Sequence, residues 1–170
     1  PICEYIFKKY NGIKKPLIIG LAGGQGSGKS TIGEILKLIL KKKYRLNVIS
    51  LSIDNYYKTL KERKKLSKNL SKLFLTRGVP GTHDIDLLYK HLTMLSKKNF
   101  SSIRIPTFDK ATDDRKSKEK WVKIENRQDI IIFEGWCVGA KPQIEKTIKK
   151  PINSLEKNQD TDLTWRKKVN

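Results

Sequence analysis

A glycine-rich run that ends in a lysine and two hydroxyl residues holds the residue types that bind phosphate. Its spacing is G-x-x-x-x-G-K-S, over residues 23–30. Glycines allow backbone N–H groups to surround phosphate oxygens, because no Cβ stands in the way. The Lys29 amine can reach the β- and γ-phosphates of a nucleotide, which gives it a catalytic role, and the Ser30 hydroxyl can ligate Mg²⁺. We therefore expect ATP and Mg²⁺ as cofactors, with nucleotide contacts from Gly23, Gly24, Gln25, Gly26, Ser27, Gly28, Lys29, Ser30 and Thr31.

Two carboxylates follow strongly apolar runs of the sequence. Asp54 comes after residues 46–53, and Glu134 comes after residues 130–133. In α/β proteins, ligands bind at the carboxyl ends of the strands. Asp54 is therefore a candidate catalytic base for a hydroxyl acceptor, and Glu134 is a candidate Mg²⁺ ligand beside Ser30, directly or through water. The alternatives are a turn residue at position 54 and a helix-capping or ion-paired glutamate at position 134.

The elements that must position these side chains alternate between strand and helix. Residues 17–21 form a short continuous apolar run, typical of a strand buried on both faces, residues 46–53 are predicted as a second strand, and residues 130–133 as a third buried strand. Apolar residues recur at helical spacing at Ile32, Ile35, Leu36, Ile39 and Leu40, at Leu66, Leu70, Leu73 and Phe74, and at Ile85, Leu88, Leu92 and Leu95. This alternation predicts an α/β protein of the P-loop NTPase fold, with a parallel sheet sandwiched by helices.

Composition and charge exclude several classes of function. Lysine and arginine total 37 against 17 acidic residues, a net charge of +20, but 30 of the 37 are lysines spread along the whole chain. Dispersed positive charge supplies only non-specific attraction, so we expect no specific nucleic-acid partner. Two cysteines are too few for a disulfide scaffold. The scarcity of cysteines makes a cytoplasmic, reducing setting the expectation. No apolar run approaches the roughly 20 residues of a membrane-spanning helix, so we expect no membrane partner.

Missing motifs narrow the class of nucleotide-binding protein. The sequence has no N-K-x-D motif of the kind that reads guanine. Its third strand ends in Phe133-Glu134-Gly135 rather than in the Asp-Glu of helicase-type ATPases. The dinucleotide pattern G-x-G-x-x-G fails, since the sixth position counted from Gly24 is Lys29. A carboxylate after the second strand suits a small-molecule kinase, and an ATP-dependent kinase is therefore the function that we predict.

Six segments carry a more specific signal: residues 17–31, LSIDNYY at 51–57, TRGVPGTHD at 76–84, IPTFDK at 105–110, DDR at 113–115 and FEGWCVG at 133–139. Together they resemble D-glycerate 3-kinase and its relatives in the uridine kinase, pantothenate kinase and phosphoribulokinase group. The resemblance implies transfer of the γ-phosphate of ATP to a hydroxyl of D-glycerate, which gives 3-phosphoglycerate. Asn55 stands where that family usually has a second aspartate.

The same segments contain candidate contacts for a small anionic substrate. Arg77, Lys110 and Arg115 lie in these segments rather than on helix faces. An arginine can hold a carboxylate through two hydrogen bonds, and His83 can donate to a substrate hydroxyl. We therefore expect substrate contacts from all four side chains. The alternatives are structural: Arg77 paired with Asp84, Arg115 paired with Asp113, a solvated Lys110, and His83 as a helix cap.

Three buried strands are few for such a sheet, because an inner strand would be left as an edge. The family that the chain resembles also continues well past Asn170. We therefore expect residues 1–170 to be a single P-loop kinase domain that lacks its last strands and a lid. The alternative functions are a sibling kinase for uridine, pantothenate or a sugar phosphate, a nucleotide-binding fragment without catalysis, and an ATPase linked to nucleic acid.

Overall fold

The computed structural model describes residues 1–13, 15–97 and 100–170. Its α-helices in these ranges are α1 (Ile2–Ile13), α2 (Lys29–Tyr44), α3 (Leu60–Asn69), α4 (Ile85–Leu95), α5 (Glu145–Ile148), α6 (Ser154–Gln159) and α7 (Thr164–Val169). Its strands are β1 (Leu17–Ala22), β2 (Val48–Ser52), β3 (Ile103–Ile105), β4 (Phe108–Asp109), β5 (Asp114–Arg115), β6 (Val122–Ile124) and β7 (Ile130–Gly135). Short 3-10 helices span Ile53–Tyr56, Lys72–Leu75 and Lys118–Lys120.

The central sheet consists of β1, β7 and β2 in that order, with all three strands parallel. Glu134, near the end of β7, lies opposite Leu21 of β1 and Ser52 of β2. The three isoleucines that begin β7 are fully buried. Burial on both sides is expected for the middle strand of a sheet that helices cover on both faces. The predicted α/β fold with a parallel sheet is therefore confirmed.

Helices cover the two faces of the sheet through separate apolar clusters. On one face, Leu36 and Leu40 of α2 pack together with Cys3 and Ile6 of α1. On the other face, α4 packs through Leu88 and Leu95, together with the antiparallel β3–β6 pair. Among the described residues, no helix is both long enough and apolar enough to cross a bilayer.

A second antiparallel pair joins β4 to β5. We call residues 107–116, which contain both strands and the turn between them, the β4–β5 hairpin. Phe108 pairs with Arg115, and Asp109 pairs with Asp114. Asp114 also accepts a hydrogen bond from the backbone N–H of Leu60 at 2.9 Å, at the first residue of α3. The hairpin is therefore attached to the start of α3, where unpaired backbone N–H groups need acceptors.

The face that α2 buries differs from the sequence prediction. Leu36 and Leu40 are buried as expected, but Ile32, Ile35 and Ile39 are 47%, 51% and 38% exposed. The physical reason is Gly33, which is buried and has no side chain to hold the helix away from the sheet. Because contact follows the line of Gly33, Leu36 and Leu40, the other three apolar side chains turn toward solvent.

Other helices also depart from the apolar pattern. The pattern does not predict α1, which contributes few buried residues. The apolar set at 66–74 divides into α3 and the 3-10 helix Lys72–Leu75 instead of forming one helix. In α4, Ile85 is 53% exposed, whereas His91 is buried and forms a 3.1 Å hydrogen bond with the hydroxyl of Tyr56. The polar His91 lies inside because Tyr56 supplies its partner.

Gly135, the last residue of β7, should tolerate no side chain. A Cβ at this position would collide with Cγ2 of Ile53 and lie 3.0 Å from its Cβ, and 3.1 Å from Cγ2 of Val138. We expect Gly135→Ala to lower the free energy of unfolding by about 1–3 kcal/mol, the usual cost of overpacking. Thermal and urea denaturation measure this change. Gly12→Ala is the matched control, because among the described residues no atom outside its chain neighbours and its own helix backbone lies within 4 Å of a Cβ there. Equal stability of the two variants would contradict the expected close contact.

Candidate active site

The phosphate-binding loop connects β1 to α2, as the sequence predicts. Gly26 and Gly28 have positive φ angles of 73° and 80°, a conformation that favours glycine. At Gly23, a Cβ would lie 2.9 Å from Oγ of Ser27 and 3.2 Å from Cγ of Lys29, so a side chain would fill the turn. Lys29 donates from Nζ to the carbonyl of Gly24 at 2.7 Å. Its amine therefore lies within the loop, and the backbone around it fits a chain of phosphates.

Ser30 and Glu134 meet beside this loop. The Ser30 hydroxyl lies 3.1 Å from both carboxylate oxygens of Glu134. β7 pairs with β1 in a register that brings Glu134 next to the start of α2. Glu134 is 7% exposed and makes no ion pair with any residue in the described ranges. Hydroxyl and carboxylate oxygens are the ligands that Mg²⁺ prefers, so this pair fits the expected metal.

Asp54 lies at the same edge of the sheet, in the 3-10 helix that follows β2. Its backbone N–H donates to Oγ of Ser52 at 3.3 Å. Its carboxylate forms an ion pair with Nζ of Lys110 at 3.2 Å, and its side chain is 35% exposed. Because β7 separates β2 from β1, Asp54 and the phosphate-binding loop follow the two strands on either side of Glu134. The candidate base is therefore accessible and carries a cationic partner.

Asn55 connects the candidate base to the β4–β5 hairpin. Its Oδ1 atom accepts a hydrogen bond from the backbone N–H of Phe108 at 3.2 Å. The residue that replaces the second aspartate of the resembled family thus has a structural contact. This bond holds the hairpin beside Asp54, and Lys110 extends from the turn of the hairpin to the Asp54 carboxylate.

Arg77 lies on a loop after the 3-10 helix Lys72–Leu75 and is 30% exposed. Its Nη1 atom forms an ion pair with Oδ1 of Asp113, on the β4–β5 hairpin. Its Cζ atom lies 5.4 Å from the centre of the Phe108 ring, a cation–π distance. Asp84, the alternative partner considered from the sequence, instead binds Arg115. Arg77 therefore contacts Asp113 at one end of the hairpin turn, and Lys110 at the other end of the same turn contacts Asp54.

Arg115 is more deeply buried than the other candidate cations, with 8% of its side chain exposed. Its guanidinium contacts Asp84 at 2.9 Å and Glu62 at 3.4 Å. These carboxylates belong to the helix cap of α4 and the first turn of α3. The recorded partners are therefore structural, and substrate contact by Arg115 stays a prediction.

His83 is 2% exposed and stacks on Tyr57, with ring centres 4.4 Å apart. Burial lowers the pKa of its imidazole to about 4, although Asp54 acts in the opposite direction. The ring is therefore neutral at pH 7. Its Nε2 atom is buried and has no hydrogen-bond partner among the described residues. Asp84, not His83, caps α4, because its carboxylate accepts from the backbone N–H of Leu87 at 3.1 Å.

Two cavities meet at Trp136, directly after β7. One has a volume of about 610 Å³ and lies between Gly24 and Gln25 of the phosphate-binding loop and the segment that carries Arg77. The other, of about 560 Å³, is lined by His83 and neighbouring apolar groups. Trp136 donates from Nε1 to the carbonyl of Gly78 at 2.9 Å. This bond joins the end of β7 to the Arg77 loop, and both of its residues line the first cavity.

Sequence reasoning missed Arg63 and the role of Asp113. Arg63 is fully buried, and its guanidinium bonds to both the backbone and the carboxylate of Asp113. Arg63 lies in the lysine-rich segment 61–68, which reads as a solvated helix face. One feature of the sequence could have indicated a buried role for Arg63. The chain has only seven arginines, and three of them have buried side chains.

The succession of a buried parallel strand, a phosphate-binding loop and a helix, with a carboxylate at the end of the neighbouring strand, defines the P-loop fold. A small-molecule kinase is the class that this arrangement and Asp54 favour among P-loop proteins.

Comparison with known proteins assigns the family. The model of the Phosphoribulokinase / Uridine kinase family matches residues 18–169, and the chain belongs to this family of P-loop kinases. D-glycerate 3-kinase from Arabidopsis thaliana is 30% identical over 154 residues, which are 84% of this chain and 34% of that protein. Uridine kinase from Clostridium botulinum is 33% identical over 139 residues, which are 80% of this chain and 60% of that protein.

A solved structure of D-glycerate 3-kinase from Cryptococcus neoformans superposes with a TM-score of 0.74 at 27% identity, covering 86% of this chain and 53% of that one. The chain spans between 34% and 60% of the length of these curated relatives.

Glu134→Gln tests the predicted metal ligand. The change keeps the size of the side chain but removes its charge, so Mg²⁺ should no longer strengthen ATP binding. We expect the gain in ATP affinity on adding Mg²⁺ to fall by about 10-fold or more, with affinity in EDTA unchanged. Isothermal calorimetry with and without EDTA measures both. Glu125→Gln, at an exposed ion pair with Lys123, is the control. Full Mg²⁺ dependence in Glu134→Gln would remove Glu134 from the metal site.

Proposed function

We propose that this chain carries the nucleotide and acceptor sites of a kinase that transfers the γ-phosphate of ATP to a hydroxyl of D-glycerate. The observation that carries the proposal is that Arg77 lines a cavity together with Gly24 and Gln25, while Asp54 and its partner Lys110 lie at the same edge of the sheet. An acidic side chain with two basic side chains suits an acceptor that has both a hydroxyl and a carboxylate. The relatives named D-glycerate 3-kinase support this choice of acceptor.

In this mechanism the loop amides and Lys29 hold the phosphates of ATP. Ser30 and Glu134 would hold Mg²⁺, which supplies positive charge to the phosphate oxygens when it is bound. Asp54 accepts the proton of the acceptor hydroxyl as that oxygen forms its bond to the γ-phosphorus. The bond between the γ-phosphorus and the bridging oxygen breaks, and ADP leaves with the electron pair. The products are 3-phosphoglycerate and ADP.

Arg77 and Lys110 have different tasks toward the acceptor. Arg77 lines the cavity beside Gly24 and Gln25, and its planar guanidinium can hold a carboxylate through two hydrogen bonds. Lys110 is a single point charge, 67% exposed, and already contacts Asp54. Its exposed amine can therefore move from the Asp54 carboxylate to the acceptor hydroxyl when that hydroxyl approaches the base. His83, neutral and close to Tyr57, is the candidate donor to a second hydroxyl.

A second candidate acceptor is a longer hydroxy acid such as pantothenate. The observation that favours it is the size of the cavity, since about 610 Å³ lies within the range that drug-sized ligands occupy. Pantothenate also has both a carboxylate and a primary hydroxyl, so the same cations would serve it.

An acceptor panel tests the proposed substrate. With Mg·ATP, we expect ADP release with D-glycerate and little with uridine, because uridine has no anionic group for Arg77 to bind. Ribulose 5-phosphate belongs in the panel because an arginine also binds phosphate. Pantothenate in the same panel distinguishes the second candidate. Calorimetric titration of each compound into the protein with an ATP analogue that resists hydrolysis measures binding independently of turnover. Preference for uridine in both assays would overturn the proposal.

Asp54→Asn tests the proposed base. The amide keeps the size of the side chain but cannot accept the proton, and Asn55 offers no substitute. We expect kcat for the acceptor to fall by about 100-fold or more, with ATP affinity nearly unchanged. Steady-state kinetics and calorimetry measure the two quantities. Asp86→Asn removes an exposed charge from α4 and is the control. Near-normal kcat in Asp54→Asn would rule out Asp54 as the base, and loss of Mg·ATP binding would make it a metal ligand instead.

A further inference from the structure

We propose that Asp113, held in place by the buried Arg63, is a positioning residue that fixes the guanidinium of Arg77 for the carboxylate of the acceptor. This inference rests on the proposed function, in which Arg77 binds that carboxylate. It assigns a role to two residues that touch neither the nucleotide nor the acceptor.

Arg63 is the fixed point of the arrangement. Its side chain is completely buried. Nη1 donates to the carbonyl of Leu75 at 2.7 Å, Nε donates to the carbonyl of Lys58 at 3.3 Å, and Nη2 contacts Oδ2 of Asp113 at 2.9 Å. A buried charge is tolerated only when it is paired and hydrogen-bonded. The partners of Arg63 are therefore held at defined distances from one another.

Those partners lie on both sides of Arg77. Leu75 is two residues before Arg77 in the chain, so its carbonyl fixes the backbone that leads to Arg77. Asp113 provides the carboxylate that the Arg77 side chain contacts. One guanidinium thus determines the separation between the backbone of Arg77 and the anion that its side chain binds. Leu75 and Asp113 are far apart in the chain, and Arg63 holds them together by bonding to both.

The backbone conformation and the two carboxylate oxygens of Asp113 allow it to contact Arg63 and Arg77 together. It has a φ angle of 54°, in the left-handed region, at the turn of the β4–β5 hairpin. Oδ2 contacts Arg63 and Oδ1 contacts Arg77, so each carboxylate oxygen has its own arginine. Burial raises the pKa of this carboxyl, but the hydrogen bonds and charges of Arg63 and Arg77 outweigh burial and lower it overall. Asp113 is therefore ionised at neutral pH and bridges the two guanidinium groups.

Arg77 keeps a free edge for a ligand. Asp113 uses Nη1, and the guanidinium makes no other hydrogen bond to the residues that the structure describes. The ring of Phe108 supports its plane, and the Gly78 carbonyl that follows is held by Trp136. A free arginine side chain samples many rotamers, and fixing it before the ligand arrives removes that cost from binding. Asp113 thus preorganises the remaining N–H groups of Arg77.

Asp113→Asn is the direct test, because asparagine also adopts the left-handed conformation and Arg63 keeps its three carbonyl partners. NMR of the arginine Nε–H groups reports whether the Arg77 guanidinium is ordered, with no acceptor present. We expect the Arg77 signal to become mobile in Asp113→Asn, while that of Arg115, bound to Asp84, stays unchanged. Asp113→Gly, which also suits a positive φ, is the second variant if Asp113→Asn melts early. Asp86→Asn is the charge-matched control.

Calorimetric titration of D-glycerate, with the ATP analogue present, completes a double-mutant cycle. We expect Asp113→Asn to raise the Kd for glycerate by about 10-fold and Arg77→Ala by at least as much. The double variant should bind no more weakly than Arg77→Ala alone, because Asp113 acts through Arg77. Kd for the ATP analogue should not change in any variant.

The outcomes separate the inference from the proposed function. An equally ordered Arg77 in Asp113→Asn would overturn the positioning role, whatever the acceptor. The positioning role would also be overturned if the increase in Kd of the double variant equalled the product of the increases in the two single variants. A protein that does not bind glycerate, or that binds it equally well after Arg77→Ala, would overturn the proposed function instead, and the NMR comparison would still decide whether Asp113 orders Arg77.

Discussion

Parallel pairing of β7 with both β1 and β2 is the constraint on which the site depends. The three strands run in one direction, so the turns that follow them emerge at one edge of the sheet. The phosphate-binding loop follows β1, Asp54 follows β2, and Glu134 lies one residue before the end of the strand between them. A shift of β7 by one residue would turn each of its side chains to the opposite face, which would take Glu134 away from Ser30. The pairing of β7 with its two neighbours therefore sets the position of Glu134 between the phosphate-binding loop and Asp54.

Sequence periodicity predicts those parts of the fold that depend on short-range patterns. The three strands, α2 and the phosphate-binding loop each follow from residues that are close in the chain. The pattern does not show which apolar side chains of a helix face inward, since Gly33 rather than the isoleucines of α2 determines the contact with the sheet. Nor does it give α1, which buries only Cys3 and Ile6.

The candidate site also contains parts that the sequence predicts and parts that it does not. Residues 23–30 carry a motif whose chemistry is local, and Ser30 and Glu134 meet because the strand order of a parallel sheet brings them together. Pairings among charged side chains were not predictable. The sequence offers Asp84 as a partner for Arg77 and Asp113 as a partner for Arg115, whereas in the fold Asp113 binds Arg77 and Asp84 binds Arg115. These partners lie 31 to 36 residues apart, and only the docking of the β4–β5 hairpin on α3 decides between them.

Two ion pairs of that hairpin differ in how easily a ligand can replace them. Lys110 is largely exposed, and an exposed pair contributes at most about 1 kcal/mol, so its contact with Asp54 can be exchanged for an acceptor group at little cost. Asp113 is bound on its other side by Arg63, which would lose a charged partner in a buried position if the carboxylate moved. When the acceptor binds, the ion pair between Arg77 and Asp113 is therefore kept, whereas the ion pair between Lys110 and Asp54 is broken. In the proposed reaction this difference frees the base and leaves the carboxylate-binding arginine in place.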